Sequence, residues 1–151
     1  MDPTVKPQGC TNMKLRQLMR RVAQRYDAEV GKTGLKGTQY SLLSHVLRLG
    51  PVRPGDLARA MTIDASTLTR NLKPLIDAGL VPLDAGVDGR SRLVNITPAG
   101  REKRQEAQRR WRVAQESINQ TLGVERVLAL HALIDESMDL LSPLESAEDD
   151  E

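Results

Sequence analysis

The stretch Leu57–Leu80, "LARAMTIDASTLTRNLKPLIDAGL", carries two apolar patterns separated by a turn. Leu57, Ala58 and Met61 recur at the spacing of one helical face, as do Leu68, Leu72, Leu75 and Ile76. Thr62-Ile63 interrupts them, and Asp64 supplies the side chain of a helix N-cap. The first segment is too short to hold a helix in water by itself, so its apolar residues must pack on Leu68 and Leu72 of the second. That is the geometry of a helix-turn-helix. Burying the apolar side turns Ser66, Thr67, Thr69, Arg70 and Lys73 outward. Hydroxyls, arginine and lysine are the side chains that reach base edges and phosphates in a DNA major groove. A plain amphipathic helix pair with a solvated polar face has the same pattern, so this stretch alone leaves both readings open.

The flanking sequence narrows the choice. After Gly79 come two short apolar runs, Leu80–Leu83 and Leu93–Ile96, around a turn containing Gly86, Asp88 and Gly89. This spacing predicts a two-stranded hairpin with Arg90 near its tip and Arg92 close by. A ribbon of two strands is marginal in isolation and must rest on the helices. A tip arginine suits the negative potential of a narrow minor groove. Asp88 is placed to orient Arg90 by a charge-assisted bond.

Upstream, Leu15, Leu18, Met19, Val22, Tyr26 and Val30 line one face of a helix beginning at Asn12, and Gly31–Gly37 ends it. Thr38 is the expected cap of a second helix with Leu42, Leu43, Val46 and Leu47 inward, ending at Gly50-Pro51. Pro54 suits the first turn of the short helix that follows. Pro74 lies within the outward-facing helix and predicts a local bend. Downstream, Thr97-Pro98 opens a long helix to about Leu122. A last helix extends from Val124 to about Leu141. The long helix carries a narrow apolar seam (Ala107, Trp111, Ala114, Ile118, Leu122), and the last a wider one including Leu128, Leu133, Ile134 and Met138. Exposed seams of this size call for a partner, so a homodimer is expected.

Composition sets the outer limits. The 151 residues are 39% hydrophobic and 28% charged, the balance of a globular chain of one domain's length. The net charge is +2, yet the closing "ESAEDDE" holds five acids and no base. Without it, 22 basic residues face 15 acidic ones, a net of +7 over residues 1–144. A basic body with a short acidic tail is compatible with nucleic-acid binding. The apolar runs fall short of the roughly 18 residues of a membrane span, and "MDPTVKPQGC" lacks a signal-peptide core. A single cysteine matches a reducing compartment, so the cytoplasm is expected.

Taken in order, "GLKGTQYSLLSHV", "RPGDLARAM", "STLTRNLKPLIDAGLV" and "DGRSRLVNITPAG" resemble the winged helix-turn-helix of the MarR family of bacterial transcription regulators. The resemblance implies a mainly α fold with a small β-hairpin wing and terminal helices that form a dimerisation region. It divides the chain into an irregular arm (1–11), a dimerisation region (12–33 and 98–142), a DNA-binding domain (34–97) and an acidic, disordered tail (143–151). It implies a homodimer on a pseudo-palindromic operator in double-stranded DNA, acting as a repressor released by a small ligand. The family's wing pair falls on Asp88 and Arg90, and its recognition-helix contacts fall near Ser66, Thr67, Thr69 and Arg70. Phe is absent and the aromatics are Tyr26, Tyr40 and Trp111, so an aromatic effector pocket is poorly supplied. The candidate pocket is the cleft between the first, second and fifth helices, with Arg16, Arg20, Tyr40 and His45 as candidate lining.

Two other readings stay open. Cys10, with Arg16, Arg20 and Arg21 nearby, is a candidate oxidation-sensing thiol, against which stand its place in an irregular arm and the lack of a second cysteine. A winged helix also serves as a protein-interaction module. The exposed Arg70, Lys73, Arg90 and Arg92 favour nucleic acid over that reading. Cys10, His45 and His131 show no metal-ligand spacing. No phosphate loop, nucleophile elbow or metal-binding helix motif appears, so neither an enzyme nor a cofactor is expected.

Overall fold

Asp64 begins the helix that the sequence marks for it: its carboxylate accepts the backbone N–H of Thr67 at 2.7 Å. In the computed structural model, which describes residues 4–83 and 92–143, that helix is the fourth of six. The order is α1 (Thr11–Val30), a 3-10 turn (Gly31–Thr33), α2 (Gly37–Leu49), α3 (Pro54–Met61), α4 (Ala65–Asp77), α5 (Pro98–Leu122) and α6 (Val124–Leu140). Pro54 occupies the first turn of α3, where its missing N–H costs nothing. Gly79 adopts φ 75°, a left-handed conformation open to glycine, just past the end of α4. Thr97 caps α5, its Oγ1 accepting the N–H of Gly100 at 3.0 Å.

The chain forms two compact units, one reaching to Gln115 and the other beginning at Glu116. In the first, α2, α3 and α4 pack on one another, and α2 also packs on α1. Leu42, Leu43, Leu57, Leu68 and Leu75 lie at the centre of its core. Each buried leucine removes apolar area worth roughly 1.5–3 kcal/mol from water, which holds the short α3 in place despite its length. In the second unit, Ile118 and Val127 are buried, while Leu128, Leu133, Ile134 and Met138 are exposed along α6.

Three expectations change. Lys36, not Thr38, precedes α2, and its N–H donates to the Gln39 side chain at 2.8 Å. The Gln39 carboxamide reaches back to satisfy the N–H of the residue before the helix, the returning half of a capping box. The seam on α5 is not waiting for a partner: Ala107, Ala114 and Ile118 are buried in the single chain, and Trp111 packs against the core. The apolar runs Leu80–Leu83 and Leu93–Ile96 form no strand within the described residues. Leu80 and Val81 instead enter the core, and Val94 makes one antiparallel bridge with Val52, bonds of 3.0 and 2.7 Å in the two directions. Residues 84–91, with Gly86, Asp88, Gly89 and Arg90, lie outside the described residues, as does the acidic segment 144–151. Pro74 lies within α4, which stays helical on both sides of it.

The base of the 84–91 segment is nonetheless firmly tied. Thr97 N–H donates to Leu80 O at 3.1 Å, and Thr97 Oγ1 donates to Gly79 O at 2.7 Å. Gly100 allows this approach, because a Cβ there would fall 2.1 Å from Leu80 O. The end of α4 and the start of α5 are thereby held together.

Candidate nucleic-acid interface and internal cavity

Burial of Leu68, Leu72 and Leu75 fixes the rotation of α4 about its axis. Ser66, Thr69, Arg70 and Lys73 are exposed as a consequence, and Thr67 is half-buried. Small side chains at the start of the helix keep its N-terminal end slender, which is what entry into a major groove requires. Ser66 Oγ donates to Asp64 at 2.8 Å, and Thr69 Oγ1 donates back to Ala65 O at 3.0 Å. Arg70 makes only a long 3.5 Å contact with Thr67 Oγ1, and so is available to an outside acceptor. Lys73 pairs with Asp77 at 3.4 Å, an exposed pair of little strength. Arg92, at the near end of the described loop, is exposed, as is Arg53 just before α3.

Asp64 organises this end of α4. The Thr67 backbone N–H above all, then the Ser66 and Thr67 hydroxyls, hold its carboxyl down at about 2. Because the folded value lies below the ordinary 3.8, the cap is fully formed above about pH 4 and is lost as the pH falls towards about 2. Asp64→Asn keeps a good cap without a titrating group. We expect the variant to melt near the parent temperature at neutral pH and to show a flatter acid limb below pH 4. Identical acid limbs in the two proteins would contradict this role.

A cavity of about 610 Å³ lies among α1, α2 and α5. Its apolar walls are Met19, Val22, Ala23 and Val30 of α1, with Tyr26 and Trp111 stacked at a ring separation of 6.2 Å. Burial pushes the Tyr26 phenol up, and its hydroxyl donates to the Gln115 side chain. Opposite stand Tyr40, Ser41 and Ser44 of α2, and Arg104 and Gln108 of α5. Arg104 sits over the Tyr40 ring at 5.7 Å and donates to Ser44 Oγ and Gln108 Oε1, each at 3.2 Å. Asp27 is also at the cavity, and its carboxylate accepts the N–H of Gly37 at 3.1 Å.

The candidate pocket residues separate accordingly. Tyr40 lines the cavity, whereas Arg16 and Arg20 do not: both are exposed, and Arg16 donates back to Asn12 at 3.3 Å. The exposed half of α1 is set by its polar residues, which sequence alone does not distinguish from a cavity rim. His45 lines a smaller adjoining cleft that shares Ser44 and Arg104 with the larger cavity. The residue that reading missed is Arg104, one helical turn before Gln108 and two before Trp111 on the same face. Cys10 is exposed at the start of α1, and its thiol is free. Among the described residues no three His, Cys, Asp or Glu side chains gather to hold a metal, and no helix is long and apolar enough to cross a membrane.

Comparison with known proteins agrees with this architecture. The model of the MarR family matches residues 33–91. An uncharacterized HTH-type transcriptional regulator of Bacillus subtilis, YwoH, is 28% identical over 93 residues, 62% of this chain and 68% of its own length. The M. tuberculosis transcriptional regulator MosR, solved in complex with DNA, is 30% identical and superposes with a TM-score of 0.67. That match covers 85% of this chain and 98% of MosR. A probable transcriptional regulator from Pseudomonas aeruginosa, 27% identical, gives a TM-score of 0.71 over 84% of this chain and 96% of its own. With its buried helix-turn-helix, its tied loop base and these similarities spanning most of the chain, the protein belongs to the MarR family of transcriptional regulators.

Proposed function

We propose that the protein binds double-stranded operator DNA as a homodimer and represses transcription until a small molecule releases it. The observation that carries this reading is the N-terminal half of α4, where Ser66, Thr69 and Arg70 are exposed around a cap that fixes their backbone. In this reading α4 enters the major groove. The segment between α4 and α5 is the wing, with Asp88 orienting Arg90 towards the minor groove. Residues 34–97 are the reading domain, and 12–33 with 98–142 the dimerisation region. The exposed apolar face of α6 supports the dimer, since a lone chain leaves it in water. A DNA complex of the similar MosR supports the nucleic-acid reading.

The effector site is the α1–α2–α5 cavity. Its walls are largely apolar and aromatic, and Arg104 is half-buried with neutral partners only. A flat apolar molecule with an anionic group fits both features. Release has a structural route: α2 faces the cavity and also packs on α3 and α4. An occupant that shifts α2 moves the helix-turn-helix, provided it binds the shifted state more tightly.

Genome-wide mapping of bound DNA tests the reading. We expect a small set of discrete sites near promoters, each containing a pseudo-palindrome with half-sites about one helical turn apart. A protein-interaction module on the same scaffold would give no such sites.

A further inference from the structure

Several cations of this chain pair with an acid three or four residues away. Arg59 pairs with Asp56, Lys32 with Glu29, Lys73 with Asp77 and Lys103 with Glu106. Arg48 and Arg104 do not. Neither has an Asp or Glu three or four residues away in the sequence, and neither forms an ion pair among the described residues. The fold brings these two together, because both line one cleft of about 380 Å³ between α2 and α5.

Ser44, His45 and Leu47 complete that cleft, and no carboxylate lines it. Ser44 and His45 are adjacent on α2, and Arg48 lies one turn further along the same side. His45 Nδ1 donates to Ser41 O at 2.8 Å, a carbonyl that can only accept, so Nε2 is the ring atom left for an outside partner. The Arg104 guanidinium is partly withdrawn from water and satisfied only by Ser44 Oγ and Gln108 Oε1. Two arginines lining one cleft without a carboxylate leave it with a net positive charge, which a bound anion offsets.

We infer that this α2–α5 cleft is a binding site for a small tetrahedral oxyanion of the phosphate or sulfate class, held by Arg48 and Arg104 with His45 and Ser44 as neighbours. Ser44 and Arg104 also line the larger cavity, so the two sites adjoin at Arg104, while His45 and Arg48 line this cleft and not that cavity. The oxyanion has two sources, a free ion and a phosphate of the DNA backbone, which share the same chemistry at the guanidinium groups.

Calorimetric titration of the full chain with sodium sulfate, against chloride at matched ionic strength, tests the site. We expect saturable binding of one sulfate per chain. Arg48 is exposed, so Arg48→Ala should fold normally and weaken sulfate by about tenfold or more, the usual effect of losing one hydrogen bond to a charged group. Arg48→Lys, which keeps the charge without the planar fork, should lie between the two. A second arm identifies the source. Weaker duplex binding by Arg48→Ala with a shallower salt dependence points to the DNA backbone; unchanged duplex binding beside lost sulfate binding points to the free ion. No saturable heat with the parent protein, or sulfate binding by Arg48→Ala equal to the parent's, overturns the proposal.

Discussion

Replacing Leu128 and Met138 of α6 together with arginine should convert the protein from dimer to monomer and lower its affinity for operator DNA by roughly two orders of magnitude or more, the loss expected when two linked binding heads are separated. Both side chains are more than half exposed in the single chain, at 64% and 53%. At 100° per residue, Val124, Leu128, Ile134 and Met138 of α6 fall within an arc of about 120°, so they form one stripe rather than scattered apolar positions. Arginine is a good helix former, so the variant should retain its helical signal while a charge is forced into the interface. Light scattering should give roughly twice the 16.7 kDa chain mass for the parent and the single-chain mass for the variant. A variant that remains dimeric would place the dimer contact elsewhere.

Arg70→Ala and Arg90→Ala should both weaken operator binding, but in distinguishable ways. Arg70 is exposed on α4, four residues beyond Ser66, where a major-groove contact reads sequence. Its loss should cost on the order of 1–3 kcal/mol per half-site and relax discrimination at one base position. Arg90, in the expected wing, meets a minor groove that reads width and A·T content. Its loss should weaken operator and unrelated A·T-rich DNA together, by a similar amount, and make the salt dependence shallower by about one unit of slope per contact. Melting temperature should change little for Arg70→Ala, since that side chain makes only one long contact. If Arg90→Ala binds operator as tightly as the parent, residues 84–91 are not a DNA-contacting wing.

Much of the framework is visible in the sequence because it is local. Asp64 capping α4, Pro54 opening α3 and Thr97 capping α5 each depend on residues within one turn. The amphipathic stripe of α4 likewise dictates which of its side chains are exposed. What could not be read depends on distant partners. Val94 pairs with Val52, 42 residues away, and nothing in either segment names the other. The apolar seam of α5 looks the same whether its own chain or another covers it, and only the fold shows Ala107 inside the core. Arg104 was hidden for a different reason. A basic residue on a long polar helix reads as a solvated charge, and its burial depends on Tyr40 and Ser44, some 60 residues earlier in the chain. The signal available was its shared face with Gln108 and Trp111, with no acid three or four residues away to pair with it.

Operator recognition by α4 is tested most directly by fluorescence anisotropy of the full chain on the DNA upstream of its own gene, with a shuffled duplex of equal length as competitor, across a range of salt concentrations. Specific binding should persist at salt concentrations that remove the shuffled duplex, with a preference of about a thousandfold or more. Equal affinity for the two duplexes at every salt concentration would mean that the exposed face of α4 does not read sequence.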